Sequence, residues 1–332
     1  TTLLTEASIA GMNASVSPSF GIQMTFSGFT DKQPELIKRS LEALRIEPSE
    51  EEFIQAVDRF TRGLENSRFG FPVRQLFPAI RRLTQTGAFN QEDLLQAANA
   101  ATLEALSGHI EQQLSTAYVR GYRFGNYSEE DVQALADLIA RVLPSRSGDT
   151  YTRAATYAPQ PGSTLVYQEN LPVEDLGMAY LFAAPKASIE NVAKGELLAA
   201  HLSNRAFNQL RTEEQLGYAA GGFATQLGDH PMVGFYIQTP VKAPVAMLER
   251  FDRYRAEFAS DLEALEQAEF ESIKAGVLTD LTQPPKNLGE EAGPFLIDWN
   301  RERYGFDTRT RLIAAVEQVT LDAVRDYYAE TV

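Results

Sequence analysis

Strict alternation of apolar and polar positions marks two stretches near the start, 8–17 and 20–30. They read as strands joined at Pro18-Ser19, because a period of two puts alternate side chains on opposite faces of a sheet. The period then lengthens to that of helices. Asp31 stands where a cap belongs, with Pro34 in the first turn behind it. Ser49-Glu50-Glu51-Glu52 has the capping-box pattern, in which the serine oxygen and the last carboxylate satisfy two backbone amides reciprocally. Further helices are predicted over 72–86, 91–100 and 102–114, then a strand over 117–126 and a helix opened by Ser128. Periodicity stops at 144–162, PSRSGDTYTRAATYAPQPG, which reads as an interdomain linker. Beyond it the pattern predicts strands over 163–170 and 178–185 and a long helix over 187–210. A hairpin follows, 218–226 with 231–239, turning at Gly228-Asp229-His230, and helices run from there to the end.

The order of a hairpin followed by five helices occurs twice. Glu52-Phe53 answers Glu269-Phe270 at an offset of 217, and Thr102-Leu103-Glu104-Ala105 answers Thr320-Leu321-Asp322-Ala323 at 218. Matching order at nearly equal offsets points to a duplicated domain, with copies over 1–143 and 163–332. Each copy reads as incomplete at its outer end. The first lacks the strands and long helix that open the second, and the second lacks a strand like the one that follows Leu114. An unfilled sheet edge exposes unpaired amides and carbonyls, so self-association through such edges is expected.

A length of 332 residues agrees with two domains. A hydrophobic content of 44% suits packed cores. No apolar run reaches the roughly 18 residues that a membrane-spanning helix needs. The net charge of −15 argues against nucleic acid as a partner, since phosphate backbones call for clustered Lys and Arg. With no Cys there are no disulfides and no thiolate ligands. The three histidines, His109, His201 and His230, stand singly, without the paired spacing of a zinc-binding helix, so no metal site is read in this chain. The chain opens on Thr1-Thr2, with neither an initiator Met nor a signal peptide, and reads as processed or cut from something longer.

Against this background one stretch stands out, FNQLRTEEQLGY at 207–218. Thr212-Glu213-Glu214-Gln215 is a second capping-box match and predicts a short turn after the long helix stops near Arg211. Gly217 suits a left-handed stop, and Tyr218 opens a strand of small residues, 219–224. Arg211 and Tyr218 would bracket a tight corner at one end of a sheet, and two readings of them stand. In the first, Arg211 pairs with Glu213 or Glu214 and Tyr218 is simply the strand's first packed residue. In the second, both reach into a cleft.

The same twelve residues closely resemble a signature of the pitrilysin and insulin-degrading-enzyme branch of the M16 zinc peptidases. Further matches are Gly28-Phe29-Thr30-Asp31-Lys32-Gln33-Pro34, Gly125-Asn126, Asn287-Leu288-Gly289-Glu290-Glu291-Ala292 and Tyr304-Gly305-Phe306-Asp307. The resemblance implies an α+β fold of two homologous M16 domains, each an antiparallel-rich sheet covered by helices. It places the chain in the C-terminal half of such an enzyme, the half without metal, so that zinc belongs to an N-terminal half and the isolated chain is inert. Arg211, Gly217 and Tyr218 match the family's substrate-contacting positions, and Arg211 and Tyr218 would complete the zinc site across a closed chamber that takes in a peptide. The partners implied are the zinc-bearing N-terminal half and the peptide substrate. Two alternatives are a non-catalytic M16-like scaffold subunit and half of a processing peptidase for a precursor peptide in cofactor biosynthesis. The likeness to the bacterial type favours a periplasmic over a cytoplasmic parent.

Overall fold

A computed structural model describes residues 2–18, 21–115, 117–143, 152–157, 159–160, 162–241 and 243–332. In chain order the first elements are α1 (Thr2–Ile9), β1 (Met12–Pro18), β2 (Ile22–Gly28), α2 (Gln33–Ala43), α3 (Glu50–Ser67), α4 (Pro72–Thr84), α5 (Gln91–Ala100), α6 (Leu103–Ser115) and α7 (Glu129–Val142). They are followed by β3 (Leu176–Ala183), α8 (Ile189–Ala206), a π-helix over Phe207–Glu213, β4 (Ala219–Leu227) and β5 (His230–Thr239). The chain closes with α9 (Pro244–Ala264), α10 (Gln267–Thr282), α11 (Leu288–Asn300), α12 (Thr308–Gln318) and α13 (Leu321–Thr331). The fold is α+β, and no described helix is long and apolar enough to cross a membrane.

Two compact units divide the chain: 1–65 with 89–154, and 66–88 with 155–332. In the first, β1 and β2 form an antiparallel ribbon with Met12 opposite Gly28. Its small cores gather Ile37, Leu41, Leu114 and Leu143 in one place, and Ala7, Met12 and Leu36 in another. The capping box at Ser49 forms as the sequence predicts: Glu52 N donates to Ser49 Oγ at 3.3 Å, and Ser49 N donates to Glu52 Oε2 at 2.9 Å. The same arrangement opens α7 at Ser128 and Asp131.

The second unit holds the larger core. Its sheet runs β3-β5-β4, all antiparallel, with Leu176 opposite Thr239 and Leu227 opposite His230 across the two pairings. Alternate β5 residues Val233, Phe235 and Ile237 are almost wholly buried, with Leu197, Leu198 and Leu202 of α8 and Met247, Phe251, Tyr254 and Phe258 of α9 in the same core. Phe235 is the hub, 4.8 Å from the Phe251 ring and 5.1 Å from that of Tyr254. Burying one such side chain contributes roughly 1.5–3 kcal/mol. The small residues of β4 let α8 lie close on the sheet. A Cβ at Gly222 would stand 2.7 Å from Ser203 N and 3.0 Å from Ala199 O, closer than packing allows. Helix α4 packs on β3 in this unit, where a Cβ at Gly177 would meet Pro72.

The repeated motifs occupy equivalent places. Thr102 Oγ1 accepts from Ala105 N at 3.1 Å ahead of α6, and Thr320 Oγ1 accepts from Ala323 N at 3.2 Å ahead of α13. Glu52-Phe53 and Glu269-Phe270 lie in the first turns of α3 and α10.

Three expectations are corrected. Asp31 does not cap α2: Gln33 N donates to Thr30 O at 3.2 Å, so Asp31 lies inside a turn, and Lys32 occupies the cap position without a side-chain bond. Residues 117–126 and 163–170 form no strand. Alternation fits a segment for a sheet, but only ladder pairing with a neighbouring strand makes it one, and among the described residues neither segment joins a sheet. Of the predicted linker, residues 144–151, 158 and 161 lie outside the described residues, as do Ser19 and Phe20 at the first hairpin's turn.

Candidate functional site

Helix α8 does not stop at its end but widens. Glu214 N donates to Gln209 O at 2.9 Å, five residues back, in the manner of a π-turn, and Leu216 N returns to Leu210 O at 2.9 Å. Leu210 and Leu216 are both buried, and the widened turn seats them in the same core. The second capping box is therefore absent. The Thr212 hydroxyl donates to Phe207 O at 3.4 Å, and the Glu214 carboxylate is taken by Arg250 of α9. Arg250 is buried. Its Nε donates to Glu214 Oε2 at 2.8 Å, while Nη2 donates to Glu214 Oε1 and to Glu257 Oε2, the latter at 2.9 Å. Gln209 Nε2 reaches Glu257 Oε2 at 2.7 Å, which ties the π-turn to α9 a second time.

The left-handed residue in this corner is Gln215, at φ 52°, and not Gly217. Gly217 is required for another reason: a Cβ there would overlap the carbonyl oxygen of Gln238 on β5. The backbone can thus run tight against β5 and deliver Tyr218 to the start of β4. The Thr239 hydroxyl donates to Leu216 O and fixes the same crossing.

Tyr218 is 47% exposed, so it is not a packed strand-opening residue. Its ring meets the Phe71 ring edge-on, with centroids 6.3 Å apart. Its hydroxyl donates to Oδ2 of Asp175, the residue that precedes β3. Gln238 Nε2 donates to the same Oδ2 at 2.8 Å and to the Tyr218 oxygen, while Gln238 Oε1 accepts from Val73 N at 3.3 Å at the start of α4. The hydrogen bonds from Tyr218 and Gln238 hold the Asp175 carboxyl below the usual carboxylate range. The hydrogen bond to Asp175 pushes the Tyr218 phenol up.

Arg211 is exposed, with its guanidinium carbon 4.5 Å from the centroid of the Phe207 ring. Among the described residues it has no ion pair, so the expected pairing with Glu213 or Glu214 does not form. Arg211 and Tyr218 thus lie on the two arms of one corner, each resting on its own partner. Asp175, Gln238 and Arg250 went unnoticed in the sequence. Gln238 carried a signal, as a polar residue in the apolar run 232–239 that ends wholly buried. Asp175 carried none.

The histidines are engaged elsewhere or exposed. His201 Nε2 lies 2.9 Å from Asp261 Oδ2, His230 Nε2 lies 2.6 Å from Ala184 O, and His109 is on the surface of α6. Among the described residues no group of three or more His, Cys, Asp or Glu side chains could hold a metal ion, so the residues present do not fit a zinc centre within this chain.

Residues 1–97 match a family model described as the middle or third domain of peptidase M16. Residues 197–296 match one described as PQQ synthase PqqF-like, C-terminal lobe domain 4. Protease 3 of Salmonella typhi is 25% identical over 333 residues, covering 99% of this chain and 34% of its own length. Insulin-degrading enzyme of Homo sapiens is 22% identical, covering 98% of this chain and 33% of its own length. The crystal structure of pitrilysin has the same fold, with a TM-score of 0.91 over 99% of this chain and 35% of that one at 24% identity. The chain spans about a third of the length of the curated relatives it matches.

Proposed function

We propose that this chain, which belongs to the M16 peptidase family and is homologous to the C-terminal half of its pitrilysin-like members, supplies substrate contacts to a peptide-cleaving centre whose metal is held by an N-terminal half. The carrying observation is the corner itself. A π-turn clamped by a buried Arg250 and a glycine forced by backbone contact hold an arginine and a tyrosine exposed at one end of a sheet. Exposed polar side chains held on a rigid mount suit recognition. In this reading the Arg211 guanidinium donates to a carbonyl oxygen of the bound peptide. The Tyr218 hydroxyl donates to the oxygen of the bond being cleaved, where negative charge develops. Glu214 shapes the corner through Arg250, and Gly217, which the close approach to Gln238 requires, is the third position proposed to contact the peptide.

The test is reconstitution. A zinc-bearing N-terminal M16 half, added in trans or joined covalently, should yield peptide hydrolysis that neither half shows alone. In the restored enzyme Tyr218→Phe should lower kcat by roughly 10- to 1000-fold, the range seen when one oxyanion donor is removed, whatever stability the lost bond to Asp175 costs. An unchanged kcat would end the assignment of Tyr218. A second reading is favoured by one observation: the Tyr218 hydroxyl is already bonded to Asp175. If Tyr218 is only a latch between the start of β3 and β4, as in a non-catalytic scaffold subunit, Tyr218→Phe lowers the melting temperature and leaves kinetics alone.

A further inference from the structure

The phenol has one proton to donate, and in this structure Asp175 has it. Gln238 donates to both the Tyr218 oxygen and Asp175 Oδ2, and its own acceptor is filled by Val73 N, so the amide is fixed from both sides and holds the pair together. A hydrogen bond from a hydroxyl to an ionised carboxylate is about twice as strong as one between neutral groups. A resting peptide carbonyl, which is neutral, does not draw the hydroxyl off Asp175. An oxygen that has gained negative charge is an acceptor of the same kind as Asp175 and can compete with it.

Resting on the reading of Tyr218 given above, we propose that Asp175 is a positioning residue that keeps the Tyr218 hydroxyl from the neutral peptide carbonyl and releases it to the oxygen as charge develops there. The exchange moves one hydrogen bond and no proton: the phenol keeps its hydrogen throughout, and Asp175 retains its bond from Gln238 while the hydroxyl is away. The consequence is selective. An interaction withheld from the ground state and granted to the transition state raises turnover without tightening substrate binding. The lowered Asp175 and raised Tyr218 values agree in direction with a carboxylate that stays ionised and a phenol that stays protonated at neutral pH.

Two measurements test the proposal. The first uses the chain as it stands, labelled with 13Cζ-tyrosine, with the Tyr218 signal assigned by its loss in Tyr218→Phe. In the wild type this signal should step at acidic pH as Asp175 is protonated. In Asp175→Asn the acid step should vanish, and the phenol should titrate nearer the ordinary tyrosine value of about 10. The acid step needs no mutation, so the test survives an Asp175→Asn protein that folds poorly. No step, together with an unmoved phenol in Asp175→Asn, overturns the proposal. The second uses the reconstituted enzyme. Asp175→Asn weakens the competing acceptor, so the hydroxyl becomes available to the resting carbonyl. KM should fall by about two- to tenfold, the worth of one neutral hydrogen bond, without loss of kcat/KM, and adding Tyr218→Phe should abolish that gain. A purely structural Asp175 predicts lower kcat/KM and unchanged or higher KM, and that result also overturns the proposal. If the acid step is present but Tyr218→Phe leaves kcat untouched, the fault lies with the catalytic reading of Tyr218, and the Asp175 contact is a fold latch.

Discussion

Replacing Arg250 by Met, which preserves most of the buried stem, should destabilise the second unit by about 2–3 kcal/mol. The residue is 4% exposed and makes three charge-assisted bonds to Glu214 and Glu257. Removing one partner from a fully buried ion pair costs about 3–5 kcal/mol, because the other charge is left without compensation. Here the orphaned carboxylates are partly wet, with side-chain exposures of 30% for Glu214 and 46% for Glu257, so water recovers part of that cost. For a unit of this size each kcal/mol moves the melting temperature by about 2–4 °C, so a loss of about 4–12 °C is expected in circular dichroism melts. Urea titration should show a lower midpoint at unchanged slope. Glu214→Gln should cost less, and the double variant should cost less than the sum of the singles, because the two residues share one interaction. A melting temperature within about 1 °C of wild type for Arg250→Met would refute the clamp. Additive double-mutant energies would show that Arg250 acts through its packed stem.

Gly217→Ala should be severe, at least about 3 kcal/mol, since its Cβ would overlap the carbonyl oxygen of Gln238 and would also stand 3.2 Å from Ile237 Cγ1. Wild-type melting in that variant would show that the strands do not approach so closely. His201 gives a pH dependence. Burial pushes its pKa down despite the neighbouring Asp261, so the unfolded chain takes up the proton first as pH falls. Its contribution is present above the unfolded value of about 6.5 and is lost as pH drops from there toward the lowered folded value. The slope of stability between about pH 6.5 and 5 should be shallower in His201→Gln, and an equal slope in both proteins would contradict the assignment.

Local chemistry made much of this molecule legible from its sequence. The capping box at Ser49, the helix opened by Ser128, the helix over 91–100 and the hairpin turning at Gly228-Asp229 follow from interactions within a few residues, which survive whatever the rest of the chain does. Thr102 and Thr320 likewise cap their helices without help from tertiary contacts. Arg211 and Tyr218 were legible as the two arms of a corner from the local pattern of residues 211–218. The shape of that corner was not. Thr212-Glu213-Glu214-Gln215 carries a sound local capping pattern, yet α8 runs on through these residues as a π-turn, the Thr212 hydroxyl bonds back to Phe207 O and Gln215 turns left-handed, while Arg250, 36 residues further on, clamps the turn through Glu214. The hydroxyl of Tyr218 likewise finds Asp175 and Gln238 only because β5 lies between β3 and β4 and brings together residues 43 and 20 positions away. The segments 117–126 and 163–170 failed as strands for the same reason. Strand pairing and side-chain networks are made with distant partners, and a sequence pattern states what a segment can do, while the tertiary fold decides which partner is there to do it with.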